Sequence, residues 1–283
     1  NDSPEAVKIG LAAANDTDYQ RFEEGDCVAQ FLGVTKYEPV VPAQMAGKAL
    51  GADLAITHNY DFENIKKHPS LFEEGEIVAI TEKIHGTLLQ IILAPESMAD
   101  DKFHNRRVVI TSKGLGGRGI ILDHNDEPNV YAQAVKKFGL LDKMLKMPPA
   151  DKPVVLFGEV YGKGVQDLGY NSDLSFRAFD MCIGVRDDAK FCSYEYFVGI
   201  MGGLGVPRVP ELYVGPYSKE VLVPHTDGST EINDAGHIRE GVVVKTCRMD
   251  GEGYEVRHPR YGRKIAKSIS EAYLLRKNGT EFN

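Results

Sequence analysis

The sequence predicts an α+β fold dominated by antiparallel sheets. Short apolar runs rich in Val, Ile and Phe recur along the chain, and few stretches with helical spacing separate them. Glycine and proline, 29 and 14 of 283 residues, punctuate the joins. A doubly wound parallel sheet would instead alternate each strand with a helix.

Taken in order, residues 7–11 read as a strand and 23–26 as a turn. Residues 31–58, with Pro39, Pro42, Gly47 and Gly51, read as extended chain draped over a domain. Residues 62–72 read as a short helix interrupted at Pro69. Residues 77–80 form a buried strand that runs into Thr81-Glu82-Lys83-Ile84-His85-Gly86-Thr87, and 88–93 form the next. Further strands are expected at 107–111, 154–161, 176–185 and 241–246, where β-branched and aromatic residues concentrate. Residues 130–147 carry Ala134, Phe138, Leu141 and Leu145 at helical spacing and stop before Pro148-Pro149. A second helix is expected over 194–204, closed by Gly202-Gly203.

No run approaches eighteen apolar residues, and the start has no charged and then apolar segment, so neither a membrane span nor a signal peptide is expected. The chain does not open on methionine and is read as a fragment whose start lies upstream. Four widely separated cysteines (Cys27, Cys182, Cys192 and Cys247) fit neither a zinc knuckle nor a disulfide scaffold, which points to a reducing, cytoplasmic setting. The net charge of −8 argues against a polyanionic partner only superficially. Residues 1–80 hold 6 Lys/Arg against 14 Asp/Glu, and the remainder holds 27 of each. Within it, Arg257, Arg260, Arg263, Lys264 and Lys267 fall in one run without a carboxylate, as phosphate recognition or a solvated strand edge would require.

Gly114-Leu115-Gly116-Gly117-Arg118-Gly119 matches a dinucleotide-binding pattern, but no helix opens at its last glycine, so it reads as a glycine loop. No Walker A sequence is present. Lys83 is more informative. An amine at the end of an apolar strand can be partly desolvated while facing a cleft, and burial with neighbouring cations exposes a lysine lone pair. Gly86 lets backbone approach a ligand closely. Four further elements follow at strand ends. Phe157-Gly158-Glu159-Val160-Tyr161-Gly162 offers a carboxylate beside glycines, and Phe176-Arg177-Ala178-Phe179-Asp180 an aromatic for stacking. Glu240-Gly241-Val242-Val243-Val244-Lys245 starts a buried strand with a carboxylate, and Arg263-Lys264-Ile265-Ala266-Lys267 closes with cations. Each alone has an ordinary structural explanation; their order makes coincidence improbable.

These five elements resemble the motifs of the covalent nucleotidyltransferases, the ATP-dependent polynucleotide ligases and mRNA capping enzymes. The segment 81–87 looks like RNA ligases of the T4 phage nick-sealing type. The segments 32–39, 164–168 and 267–274 are similar to the Deinococcus/Naegleria-type RNA ligases, and the match runs from about Phe22 to the end. The resemblance implies a nucleotidyltransferase (ATP-grasp-like) domain over 27–283 with ATP in a cleft between sheets. It also implies that residues 1–26 are the remnant of an N-terminal OB domain.

The implied chemistry is ATP-dependent RNA ligation. Lys83 takes AMP from ATP, the AMP passes to a 5′-phosphate, and a 3′-OH RNA end seals the nick. The implied catalytic residues are Lys83, Glu159, Glu240, Lys264 and Lys267. ATP contacts are implied for Thr81, Glu82, Gly86, Lys113, Phe179 and Lys245 as well, with Phe179 stacking on adenine. Strand alternation from Glu240 puts Lys245 on the opposite face. Glu159 and Glu240 would hold Mg²⁺ or Mn²⁺ through water, with His85 a further candidate; that branch usually carries Asp there. It also spaces its closing lysines as Lys-x-Lys, one residue closer than Lys264 and Lys267. Thr87, Lys113 and Arg263 would meet the nucleic acid, a nicked duplex whose 3′-OH side is RNA and whose 5′-phosphate side is RNA or DNA. A monomer is expected, with adenylylation intact and sealing weak. A DNA ligase, a GTP-using capping enzyme and a non-catalytic RNA-binding module remain as alternatives.

Overall fold

The structure, a computed structural model, describes residues 49–51, 56–95, 106–112, 120–147 and 150–276, all within the unit Val41–Asn283. The strand expected at 7–11, the OB remnant at 1–26 with its boundary, Lys113 and the glycine loop 114–119 lie outside the described residues.

Two antiparallel sheets carry the site. The larger contains β1 (Ala49–Gly51), β3 (Thr87–Pro95), β4 (Arg106–Ser112), β5 (Ile120–Leu122), β6 (Val154–Tyr161), β7 (Ser175–Ile183) and β8 (Lys190–Phe191). Its order is β1-β5-β4-β3-β6-β7-β8. The smaller contains β2 (Ile77–Lys83), β9 (Glu211–Pro216), β10 (Gly241–Thr246) and β13 (Ile265–Ile269), in the order β13-β10-β2-β9. A two-stranded hairpin, β11 (Arg257–His258) and β12 (Gly262–Arg263), stands apart from both.

Each sheet covers one face with apolar packing. Leu89, Ile91, Leu93, Leu156, Val160, Phe176 and Met181 of the larger sheet pack on α1 (Val130–Lys137), α2 (Leu140–Met144) and α3 (Tyr194–Leu204). On the smaller sheet, Val78, Ile80, Val242, Val244 and Ala266 pack on Leu71, Phe72 and Leu222, the last from α4 (Lys219–Thr226). Alternation then leaves Ala79, Thr81, Lys83, Val243, Lys245, Ile265 and Lys267 on the other face. A short helix, α5 (Glu271–Leu274), follows β13 and is capped by Ser270, whose Oγ accepts from the Tyr273 amide at 3.2 Å.

The antiparallel α+β architecture agrees with the sequence reading, and β6, β10 and α3 begin and end where periodicity places them. Other elements differ for identifiable reasons. The helix expected over 130–147 breaks in two at Gly139, whose φ of 57° is left-handed and ends the first segment. Residues 62–72 form only a 3-10 turn, Ile65–Lys67, whose first amides are capped by Asn64. Gly205 (φ 62°), rather than Gly202-Gly203, closes α3. Strand β9 lies at an open edge and so lacks a buried apolar signature, and α4 contains Pro224 in its interior.

Phe176 fills the space that Gly158 leaves empty: a Cβ on Gly158 would sit 2.2 Å from its ring. Phe176 is fully buried. Phe176→Ala is expected to cost about 3–5 kcal/mol by opening a cavity under the larger sheet. A urea titration checks this through a lower midpoint at unchanged slope.

Candidate active site

The register of three strands assembles one wall of a cavity of about 440 Å³. Strand β10 lies between β2 and β13, so side chains form rows across the sheet: Lys83 beside Gly241 and Ile269, Thr81 beside Val243 and Lys267, and Ala79 beside Lys245 and Ile265. Lys83, Thr81, Val243, Lys267, Lys245, Ile265 and Ile269 all line the cavity. Lysines distant in sequence thus share one face because antiparallel partners point their side chains the same way.

Glu240 joins them through a backbone irregularity. Gly241 has φ +152°, and a Cβ there would lie 2.2 Å from the Ser268 carbonyl oxygen. With alternation interrupted at this glycine, Glu240 and Lys245 line the same cavity; the expectation of opposite faces fails because regular strand geometry starts only after Gly241. The Glu240 carboxylate pairs directly with the Lys83 amine, whose side chain is 26% exposed against 3% for Glu240. Gly86 closes the loop after Lys83 where no side chain fits: a Cβ would meet the Val160 oxygen at 2.4 Å and Glu159 Cγ at 2.8 Å. The group approached closely at Gly86 is strand β6, where the sequence reading expected a ligand.

The larger sheet supplies the opposing wall, with Leu88, Glu159 and Phe179. Phe179 is the extra residue of a bulge. Phe157 pairs with Asp180 and the adjacent Gly158 with Ala178, so two steps on β7 answer one on β6. Such a bulge re-aims side chains. Phe179 and Asp180 accordingly both turn towards the Tyr60 ring, Phe179 at 5.3 Å between centroids and Asp180 accepting from the Tyr60 hydroxyl at 2.7 Å. Tyr60, Asp61 and Phe62 complete this side of the cavity, and Asp61 Oδ1 lies 3.7 Å from Lys267 Nζ. Sequence reading missed all three, although an aromatic–acid–aromatic triplet was visible. It also missed Arg208, which lines the cavity from a loop.

Beneath Phe179 lies a buried charge network. Asp180 accepts from Lys245 at 2.7 Å, from Arg263 at 2.6 Å and from Tyr60, while Glu255 accepts two bonds from Arg263 at 2.5 and 2.7 Å. Burial alone would raise the Asp180 pKa. The Arg263 guanidinium and Lys245 ammonium outweigh it and hold the carboxyl down to about 2. The Arg263 guanidinium also stacks 3.4 Å from the Phe191 ring centroid. Arg263, expected on nucleic acid, is therefore an interior tie, because its fork matches two carboxylates that no other buried guanidinium of the network meets. Lys245 reaches the cavity, but its amine is already bonded to Asp180 and, at 3.0 Å, to the Cys192 carbonyl.

Lys264 is the clearest displacement. It stands three positions before Lys267, an odd offset, so alternation sends the two to opposite faces. Lys264 is buried behind the sheet, where its amine pairs with Glu76, which also accepts from Thr246 at 2.7 Å. Burial would lift the Glu76 carboxyl, but the bonds from Lys264, Thr246 and the Glu73 amide hold it below its ordinary range. Glu82 lines the cavity, yet its carboxylate accepts from Thr230 and, at 2.8 Å, from the Glu231 amide, and burial raises its pKa. Thr87 lines the cavity and shares a hydrogen bond with Tyr131 at 2.7 Å.

His85 is buried with both ring nitrogens engaged. Nε2 donates to Asp167 at 2.5 Å, Nδ1 meets the Tyr273 hydroxyl at 2.8 Å, and its amide donates to the Tyr170 hydroxyl at 2.7 Å. An imidazole so committed braces the loop after Lys83 and presents no nitrogen to a cation. Asp167 is held in turn by Arg276 at 3.1 Å. Among the described residues no three His, Cys, Asp or Glu side chains converge into a direct metal cluster, and no helix is long and apolar enough to cross a membrane.

A protein-family model described as RNA ligase matches residues 76–269. No curated protein matches the chain in sequence. Among solved structures, a Naegleria gruberi RNA ligase variant with ATP and Mn is 22% identical over 88% of this chain and 67% of its own, with a TM-score of 0.61. The same ligase with PPi is 22% identical over 88% of this chain and 66% of its own, also at 0.61. A further variant with AMP and Mn is 22% identical over 88% and 67%, again at 0.61. The chain spans about two thirds of the length of these ligases, and at this identity the likeness is one of fold.

The two closing lysines are expected to behave oppositely on truncation. Lys264→Ala leaves Glu76 buried without its cation and is expected to destabilise by about 3–5 kcal/mol. Lys267→Ala removes only a long ion pair to exposed Asp61, with an expected change of about 0–1 kcal/mol. Thermal unfolding of the two variants under one buffer checks the contrast.

Proposed function

The chain belongs to the RNA ligase family, and from that membership we propose that it is an ATP-dependent RNA ligase acting through an adenylylated lysine. The observation that carries this reading is the Lys83 amine. It is held by Glu240 on the wall of a cavity whose other polar lining includes Glu159, Lys267 and Arg208, with aromatic rings at one side.

In the first step Lys83 Nζ attacks the α-phosphorus of ATP. A P–N bond forms, the P–O bond to pyrophosphate breaks, and pyrophosphate leaves. Lys267 adds positive charge where the transition state spreads negative charge over phosphate oxygens. Phe179 offers its face to adenine, and Glu159 accepts from a ribose hydroxyl. Lys264 is left out of this reading because it faces away from the cavity. Thr81 and Gly86 shape the floor around the amine, Glu82 and Lys245 hold its surroundings, and Lys113 is assigned to ATP or the nucleic-acid end.

Glu159 and Glu240 both line the cavity, and two carboxylates suit a hard cation that keeps most of its waters, so they would hold Mg²⁺ or Mn²⁺ through water. Such a cation supplies charge neutralisation on the polyphosphate. In the second step a 5′-phosphate oxygen attacks the adduct phosphorus and the P–N bond breaks, returning the amine. In the third a 3′-hydroxyl attacks the activated 5′-phosphate, a phosphodiester forms and AMP leaves. The assigned substrate is a nicked duplex with RNA on the 3′-OH side, where the ribose 2′-OH is there to be read, and RNA or DNA on the 5′-phosphate side. Thr87 contacts the strand at the break.

Intact-mass measurement after incubation with ATP and Mn²⁺ tests the first step. One added AMP is expected, reversed by pyrophosphate, absent in Lys83→Ala and Lys267→Ala, and retained by the folded fraction of Lys264→Ala. An adduct formed from GTP and not from ATP, or none at all, would sink the assignment. Gly86→Ala is expected to lower adduct formation at least about tenfold, since a displacement near 1 Å from a reacting geometry can cost on the order of 10²-fold in rate.

A further inference from the structure

With Arg263 turned inward, the cationic run from 257 to 267 leaves Arg257 and Arg260 exposed on the β11–β12 hairpin. Among the described residues neither guanidinium has a carboxylate partner. The cations nearby are neutralised: Lys66 pairs with Glu271 at 3.2 Å and Lys67 with Glu63 at 2.7 Å.

Beside them stands a stack of three rings. Tyr261 lies 4.7 Å from His68 at an interplanar angle of 33°, and 4.6 Å from His258 at 29°. Arg260 approaches the same tyrosine, with Cζ 5.4 Å from the ring centroid. His258 Nδ1 accepts from the amides of Arg260 and Tyr261 at 3.1 and 3.2 Å, so the ring proton sits on Nε2 as a donor.

The stack connects physically to the cavity. Tyr60, Asp61 and Phe62 line it, and the chain then runs along β13, where the Lys267 amide donates to the Glu63 carbonyl at 3.1 Å. It passes through the 3-10 turn Ile65–Lys67 and arrives at His68. Guanidinium forks beside a ring N–H donor match the phosphates of a nucleic-acid backbone. An acidic peptide would match the charge as well, and the binding test below separates the two.

We propose that the β11–β12 hairpin and His68 form a docking surface for the sugar–phosphate backbone of the RNA-containing duplex, outside the adenylylation cavity. The choice of occupant rests on the ligase reading; the surface itself does not. The test compares the chain with its Arg257→Ala/Arg260→Ala variant, two exposed positions whose truncation leaves the cavity intact. Adduct formation with ATP is expected to be unchanged. Fluorescence anisotropy of a labelled nicked duplex should show affinity falling roughly tenfold. The slope of log K against log salt should become shallower by about 2, near 0.9 per lost phosphate contact. Equal affinity and slope in both proteins, no duplex binding by the unmodified chain, or weakened binding of polyglutamate with the duplex unaffected would overturn it. If the unmodified chain forms no adduct but the variant still loses duplex binding, the ligase reading fails and the surface stands.

Discussion

Antiparallel register is the constraint on which the site depends. One strand, β10, is paired on both sides, and whatever β2 and β13 carry opposite its odd positions must project with it. A slip of one residue in either pairing would carry Lys83 or Lys267 into the apolar packing behind the sheet and draw apolar side chains into the cavity. That packing, built from Val78, Ile80, Val242, Val244 and Ala266, is therefore what keeps the amines where they are. Chemistry and core are two faces of the same three strands.

Two irregularities adapt this regular frame. Gly241 interrupts the alternation so that a carboxylate meets the Lys83 amine, and the bulge at Phe179 lets an aromatic ring and a buried aspartate share one direction. Both place a side chain where unbroken pleating would forbid it. The network around Asp180 then locks the bulge from below. Removing two carboxylates and two cations from water is expensive, and their mutual bonding offsets that expense only while all four remain in place. The arrangement favours a rigid cavity floor over a mobile one.

Much of this was readable from residue order. The apolar runs at β2, β3, β6, β7 and β10 have β-branched and aromatic content that survives in the fold, and the five motif elements identified Lys83, Glu159, Phe179, Glu240 and Lys267, all of which line one cavity. What could not be read was set by geometry at single residues. Lys264 was grouped with Lys267 by the closing motif although its spacing departs by one residue, and pleating turns it to the opposite face. Arg263 looked like a surface cation because its partners, Asp180 and Glu255, come from other parts of the chain. Lys245 was assigned to the wrong face because the count began at Glu240, before the backbone irregularity at Gly241 where the strand begins. Tyr60, Phe62 and Arg208 escaped because they lie on irregular segments without periodicity.

The wall formed by Tyr60, Asp61 and Phe62 comes from chain that precedes the span 76–269 shared with the family. It is fastened to the shared scaffold by the Tyr60 hydroxyl on Asp180, the backbone bond between Glu63 and Lys267 and the paired bonds of His58 with Gln90, while Ile65, Leu71 and Phe72 pack into the core of the smaller sheet. A wall attached in this way moves only with the scaffold, because loosening it frees the buried aspartate and the strand that carries Lys267.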